Sequence, residues 1–427
     1  MTQRHIVIDL GASSGRVLSG GKTGEFCEHY RFQVNSRQHH GRLRWDLAEL
    51  KNNIFQGLTR TLDELDDEVL SISCDSWSQD FVLLDNTGKL LCDPVCYRDE
   101  LLAEAPGILQ TCGIALPGKI STLHQLAVMQ KYEPELLAKA HTLLNIADYI
   151  NYLLSGSARC NYSMLAAGNL LNSNGGLARE NLQKLAITPA IFAKTASVEV
   201  IGKVQKVFPV KLQGVPVISG VSHDTAAAFI AVPPCPGEAV IILGTWAMAG
   251  IVVDPSKAAK CDKLLGITPA LAAYSGGVPG MWAINSCIEE WKKSHEFPGF
   301  AEFDRQSAES TFSGSFRARW ADAPITPETI TRYFCERNEK APETLGDYGK
   351  ALNCGIAETL QELLQNLQQQ SGITLNKLLV CGGGSRNKPL LQLLERHTNC
   401  QVTTGTVEAT ALGNLICQQQ ALQFFSQ

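Results

Sequence analysis

Apolar positions along the chain alternate between strand-like runs and helical spacing. From 6 to 18 (IVIDLGASSGRVL) two apolar runs flank a tip of glycine and serine, which predicts a β-hairpin. Over 51–66 the apolar side chains fall at Ile54, Leu58, Leu62 and Leu65, the spacing of a helix with one buried face. Strand character returns over 69–74 and 81–84. The stretch 120–155 reads as helical through Leu123, Leu126, Met129, Leu143, Ile146, Ile150, Leu153 and Leu154. A second hairpin is predicted over 239–253, turning at Gly244 and Thr245. Two hairpins with small polar tips predict a duplicated domain whose halves face each other. The prolines of 233–236 read as a turn into the second half, 292–345 as a surface excursion, and 347–370 as one long helix. The chain then runs as a strand (378–381), a glycine turn (382–387), a helix (388–397), a strand (401–404) and a helix (408–420). A glycine turn between strand and helix sets backbone amides where a nucleotide phosphate would lie. The interleaved strands and helices define an α/β class.

Composition narrows the function. At 427 residues the chain is long enough for two or three domains. Its net charge of −5 leaves no basic surplus for a nucleic-acid partner. No apolar run reaches the ~18 residues of a membrane span. The polar start, Met1-Thr-Gln-Arg-His5, shows no leader, and the 14 scattered cysteines contain no CxxC pair. The expected setting is a reducing cytoplasm, without disulfides or structural zinc.

Two phosphate motifs fail. Gly15 and Gly20 have Walker spacing, but Gly21 follows where lysine is required, and the context is a hairpin. Gly382 and Gly384 begin a dinucleotide fingerprint that Asn387 ends. The tip Gly11-Ala-Ser-Ser-Gly15 is instead a hairpin cradle exposing backbone N–H and hydroxyl donors to a polyphosphate, with Asp9 placed to hold magnesium through its waters. Ser222, His223 and Asp224 are consecutive and cannot form a catalytic triad; Asp224 reads either as a general base on a loop or as a helix cap. Trp77, between Asp75 and Asp80, offers a flat apolar face to a sugar ring, and a carboxylate beside it can take two hydroxyls; a core tryptophan with two turn aspartates is the plainer alternative.

Taken in order, these segments resemble the FGGY carbohydrate kinases, and among them the kinases of L-rhamnulose. The resemblance rests on 9–16 (DLGASSGR), Trp45-Asp46, Asp75-Ser-Trp77 with 80–85 (DFVLLD), 94–99 (PVCYRD), 222–226 (SHDTA), Gly244-Thr-Trp246, 382–387 (GGGSRN) and 407–414 (VEATALGN), the last two similar to the family's adenosine-side segments. It implies two actin-like (ribonuclease H-like) α/β domains with a central cleft: 1–220 for sugar and the first phosphate hairpin, 221–427 for nucleotide. It implies ATP and Mg2+, a small-molecule sugar partner, and a chain for which a homodimer is one option. Asp224 would be the base. Asp80 and His223 would lie at the sugar, with Trp77 lining its pocket. Ser13, Ser14 and Arg16 would sit near the transferred phosphate, Gly244 and Thr245 would meet it from the second domain, and Gly383, Gly384 and Asn387 would flank the adenosine. Ser78-Gln79 and Leu243 depart from the family pattern. The implied reaction is phosphoryl transfer from ATP to a ketose: L-rhamnulose first, with L-fuculose, xylulose or ribulose as alternatives. An actin-like ATPase and a non-catalytic sugar sensor are the readings from other classes.

Overall fold

The N-terminal hairpin forms as the pattern predicts. In the computed structural model, which describes residues 3–116, 120–232, 235–258, 264–319 and 322–425, strands β1 (Gln3–Leu10) and β2 (Ser14–Gly20) pair antiparallel from His5–Gly20 to Leu10–Gly15. Of the expected turn at 233–236, Pro233 and Pro234 lie outside the described residues. The chain divides into two units. One comprises Met1–Val232, Leu265–Ala272 and Thr410–Gln427; the other comprises Pro233–Leu264 and Ala273–Ala409.

The first unit is built on a six-stranded sheet. With β3 (Phe26–Gln33), β4 (Glu68–Ser76), β5 (Glu199–Lys203) and β6 (Pro216–Ser219), the strand order is β5-β6-β4-β1-β2-β3. The meander β1-β2-β3 is antiparallel, while β4 runs parallel to both β1 and β6. Ile6, Ile8 and Leu10 of β1 are buried, as is Ile72 of β4, which explains why these strands read as apolar runs rather than as a strict alternation. The helix predicted over 51–66 spans Leu47–Glu64. Asp46 caps it by accepting from the Glu49 N–H, and Leu50, Ile54, Leu58 and Leu62 face the core. Gly57 lets this helix close on the sheet, since a Cβ there would stand 2.6 Å from Val17 Cγ2.

The second unit repeats the plan. The hairpin β7 (Glu238–Leu243) and β8 (Trp246–Val253) is antiparallel, and β9 (Leu271–Pro279) follows on its outer side. On the other side β10 (Lys377–Cys381) runs parallel to β7, and β11 (Gln401–Thr404) parallel to β10. The long helix is Leu345–Ser371, started by a capping box between Thr344 and Asp347 and stopped at Gly372, whose φ of 69° suits glycine.

Two expectations are corrected. The stretch 120–155 is interrupted by a strand, Thr142–Asn145, between helices Pro134–Lys139 and Ile146–Ser155. Leu143 and Leu144 belong to that strand, where four residues are too few for periodicity to separate helix from strand. The region 292–345 is no surface excursion. Helices Phe300–Glu309 and Pro327–Cys335 lie in it, and Phe303, Phe316, Ile325, Ile330 and Phe334 enter the core of the second unit. Its apolar residues are sparse but large, so a few aromatics anchor short helices that a search for long apolar runs passes over.

Candidate active site

Parallel pairing of β1 with β4 sets Asp9 opposite Asp75 at the ends of both strands. Asp75 is fully buried, and its Oδ2 accepts from Asn414 Nδ2 at 2.6 Å. Burial first, then the neighbouring charge of Asp9, holds the Asp75 carboxyl well above the ordinary range. Asp9 itself is paired by Arg16, which also reaches Glu28 Oε2 at 3.7 Å. The tip between the strands is closed by Gly11 N donating to Ser14 O at 2.9 Å; Ser13 is exposed and Ser14 partly so.

Asp224 opens the helix Asp224–Ile230. Its Oδ1 accepts from Thr225 N at 2.5 Å and from Thr225 Oγ1 at 3.1 Å. About three-tenths of the side chain is open to solvent. Desolvation, reinforced by Asp9, pushes its pKa up to about 7. His223 Nε2 lies 3.5 Å from Asp224 Oδ1, while burial lowers the imidazole to about 4, so the ring is neutral near pH 7. A carboxylate poised near neutrality at a helix N-terminus is suited to taking a proton.

The segment leading to Asp224 is clipped from one side by Asn161, a residue that sequence reasoning passed over. Its Nδ2 donates to Ser219 Oγ at 2.9 Å and to Gly220 O at 2.6 Å, and its Oδ1 accepts from Ser163 Oγ at 2.6 Å and from Ser222 N at 3.4 Å. Ser163 Oγ in turn accepts from His223 N at 3.1 Å. Asn161→Asp keeps the accepting oxygen but sets a second oxygen against the Gly220 carbonyl. The variant is expected to lose roughly 3 kcal/mol of stability, read as a lower urea midpoint, and about tenfold in kcat with the KM for ATP unchanged. A folded Asn161→Asp enzyme with parental kcat would show that the clip is not needed for turnover.

Asp80 is fully buried and forms a hub. Its Oδ2 accepts from Trp45 Nε1 at 2.5 Å, Trp77 Nε1 at 2.7 Å and Tyr97 N at 3.3 Å, and its Oδ1 accepts from Gln125 Nε2. Desolvation raises its pKa to about 6 against these donors. The two indoles pack with ring centroids 4.7 Å apart. Burial pushes the Tyr97 phenol up to about 12. Ser76 N donates to Ser222 O at 2.8 Å and Ser76 bridges His223, so the strand that leads into the hub runs beside the candidate base. Gln125 lies in helix Thr122–Tyr132; the only hint of it in the sequence is a glutamine inside an apolar helical run.

The second unit holds the other candidates. Gly244 and Thr245 form the tip of β7–β8, with Gly244 N donating to Trp246 O at 2.9 Å. Gly280 N donates to Thr245 O at 3.1 Å, and a Cβ at Gly280 would lie 2.7 Å from Gly244 O. The turn after β10 starts at Gly382, with φ 84°. Gly384 is packed so that a Cβ would meet Leu243 Cγ at 2.4 Å, whereas Gly383 faces open space. Asn387 is buried: it caps helix Lys388–Thr398 by accepting from Leu390 N and donates to Asn353 Oδ1 at 2.9 Å. Asn414, quoted with the adenosine-side motif, lies in the first unit on Asp75.

An antiparallel hairpin flanked by parallel strands, present once in each unit, with carboxylates gathered at strand ends in the first and glycine turns in the second, defines a protein of the actin-like α/β class. Solved structures share this fold: a xylulose kinase from Lactobacillus acidophilus (TM-score 0.79, 17% identity, covering 99% of this chain and 90% of that one) and Plasmodium falciparum glycerol kinase with ADP (TM-score 0.76, 17% identity, 99% and 90%). The chain belongs to the FGGY family of carbohydrate kinases: residues 5–231 match the family's N-terminal domain and 239–422 its C-terminal domain. Among curated relatives, a rhamnulokinase of Ligilactobacillus salivarius is 30% identical over 97% of this chain and 89% of its own length. One of Halalkalibacterium halodurans is 28% identical over 98% and 93%. As a carbohydrate kinase, the protein is a phosphotransferase with ATP as donor and an alcohol as acceptor. Among the described residues, no helix is long and apolar enough to cross a membrane.

Proposed function

We propose that the protein phosphorylates a ketose in the cytoplasm, with L-rhamnulose as the substrate and its terminal O1 hydroxyl as the acceptor. The observation that carries this reading is the backbone pairing of Ser76 with the segment of Asp224, Ser76 N donating to Ser222 O at 2.8 Å, which sets the candidate base beside the strand end that leads into Trp77 and Asp80. The likeness to rhamnulokinases over nearly the whole chain supports the choice of sugar.

In this reading Asp224 takes the hydroxyl proton, and Trp77, Asp80 and His223 bound the ketose. Ser13, Ser14 and Arg16 of the first unit serve the transferred phosphate, and the tip of Gly244 and Thr245 is assigned to phosphate binding in the second unit. Gly383 offers its open backbone to the nucleotide, while Gly384 and Asn387 shape that turn from within. Sugar recognition is assigned to 1–220 and nucleotide recognition to 221–427 as functional divisions; the folding units divide the chain differently.

Among the described residues, no three His, Cys, Asp or Glu side chains group to cage a metal. In this reading a magnesium ion is carried mainly by nucleotide phosphates, with Asp9, near the end of β1, reaching it through water. Such an ion would neutralise phosphate charge. The protein contributes alignment and the base, the main demands of phosphoryl transfer.

The test is a panel of ketoses and polyols assayed for sugar-dependent ADP release. L-rhamnulose is expected to give the highest kcat/KM, ahead of L-fuculose, xylulose and ribulose. A different leading ketose would move the substrate assignment. ADP release without any sugar dependence would favour an actin-like ATPase.

A further inference from the structure

The first unit holds two arginines at its phosphate hairpin, and their charges are not equally available. Arg16 is held by Asp9 and Glu28. Arg98 makes no ion pair with a carboxylate among the described residues and is exposed. Its guanidinium carbon lies 5.2 Å from the Trp45 ring centroid and 5.3 Å from that of Tyr97, and Nη2 donates to Ala12 O at 3.2 Å, on the tip between β1 and β2. Trp45 is itself pinned by its N–H bond to Asp80. Arg98 therefore spans from the aromatic hub to the hairpin tip, and two rings restrict the plane of its fork.

A guanidinium carries five N–H donors arranged to meet phosphate oxygens in pairs, and stacking on aromatic faces preorganises it. We propose that Arg98 binds the phosphoryl group during transfer and then the phosphate of the sugar phosphate product. This rests on the ketose-kinase reading. In the step it assists, the bond from the γ-phosphorus to the bridging oxygen breaks and its electron pair leaves on ADP. The ketose oxygen forms the new P–O bond and its proton passes to Asp224. Arg98 offsets negative charge on the phosphoryl oxygens throughout. Arg16, already neutralised by carboxylates, holds Asp9 in place at the strand end.

The experiment compares Arg98→Gln and Arg98→Lys in the full chain, with L-rhamnulose and ATP as substrates and L-rhamnulose 1-phosphate as product inhibitor. Arg98→Gln is expected to lower kcat on the order of 10²-fold and to weaken product inhibition by about tenfold or more. L-rhamnulose affinity without nucleotide, read by tryptophan fluorescence, should change by less than about threefold, and Arg98→Lys should restore roughly a tenth of the parental kcat. Because the side chain is exposed, a melting curve near the parental one is expected for both. Parental kcat and product inhibition in Arg98→Gln would overturn the inference. So would a loss of sugar affinity equal to the loss of kcat, which would make Arg98 a pocket wall. Either result with normal turnover by the parent enzyme sinks this inference alone, whereas absence of ketose turnover in the parent sinks the kinase reading with it.

Discussion

Asp224→Asn should lower kcat by ~10²–10⁴ while leaving the fold and ATP binding intact, the usual worth of a positioned general base. The substitution is nearly isosteric, and the amide oxygen can still accept from Thr225 N as Oδ1 does. Stability should not suffer. The folded pKa of Asp224 is about 7 against an ordinary 3.8, so the folded state holds this proton more tightly than the unfolded chain does. The group therefore favours folding most at acid pH, and that contribution is lost as pH rises from about 4 through about 7. Asparagine has no charge to desolvate, so at pH 8 the variant should melt no lower than the parent. Low activity could not then be ascribed to unfolding. In the parent, a base must be ionised to act, so kcat/KM should climb between about pH 6 and 8 and level off above, the midpoint following the raised pKa. Near-parental turnover by a folded Asp224→Asn enzyme would remove Asp224 from the role.

Asp80→Ala should have the second large effect, and the hub explains why it is a double one. Removing the carboxylate leaves the buried Trp45 and Trp77 indoles, the buried Gln125 amide and the partly buried Tyr97 N–H without their acceptor. A destabilisation of ~3–5 kcal/mol is expected, visible as a lower denaturant midpoint. Ketose kcat/KM should fall by ~2–4 kcal/mol, because Asp80 both fixes the aromatic walls and is the carboxylate closest to them. ATP affinity without sugar should hardly change. Asp80→Asn separates the two contributions: it keeps an oxygen for the indoles, so it should recover much of the stability. If it also recovers sugar turnover, Asp80 acts by holding Trp45 and Trp77 rather than by touching the sugar. Loss of ATP binding in Asp80→Ala would show that the hub is not confined to the sugar side.

Much of this architecture was readable in advance because it is written in local patterns. Both hairpins, the helix over 47–64, the long helix and the closing strand–turn–helix run all depend on spacing and turn chemistry that neighbouring residues supply. The short strand Thr142–Asn145 was missed because its two buried leucines fit either period. The aromatic-anchored helices of 300–335 were missed because their burial comes from partners far along the chain, such as the long helix that covers Phe303 at Gly349. The candidate site follows the same rule. Asp224, Asp80 and the glycine turns lie in recognisable segments. Arg98 lies in the recognisable segment 94–99, though its spacing assigns it no role, while Asn161 and Gln125 are single polar residues in ordinary surroundings that nothing local distinguishes.

By itself the sequence determined the α/β class, the repeated hairpin plan and the kinase family, because hydrophobic period and ordered motifs are properties of contiguous residues. Only the tertiary structure decided which motif residues are engaged and which are free. It buried Asp75 beside Asp9 and tied it to Asn414, 339 positions away. It gave Asp80 four protein donors, turned Asn387 into a helix cap, neutralised Arg16 with carboxylates and, among the described residues, left Arg98 without one. The reason is physical: desolvation, ion pairing and hydrogen-bond satisfaction depend on what surrounds a side chain in space, and the chain brings those surroundings from distant positions.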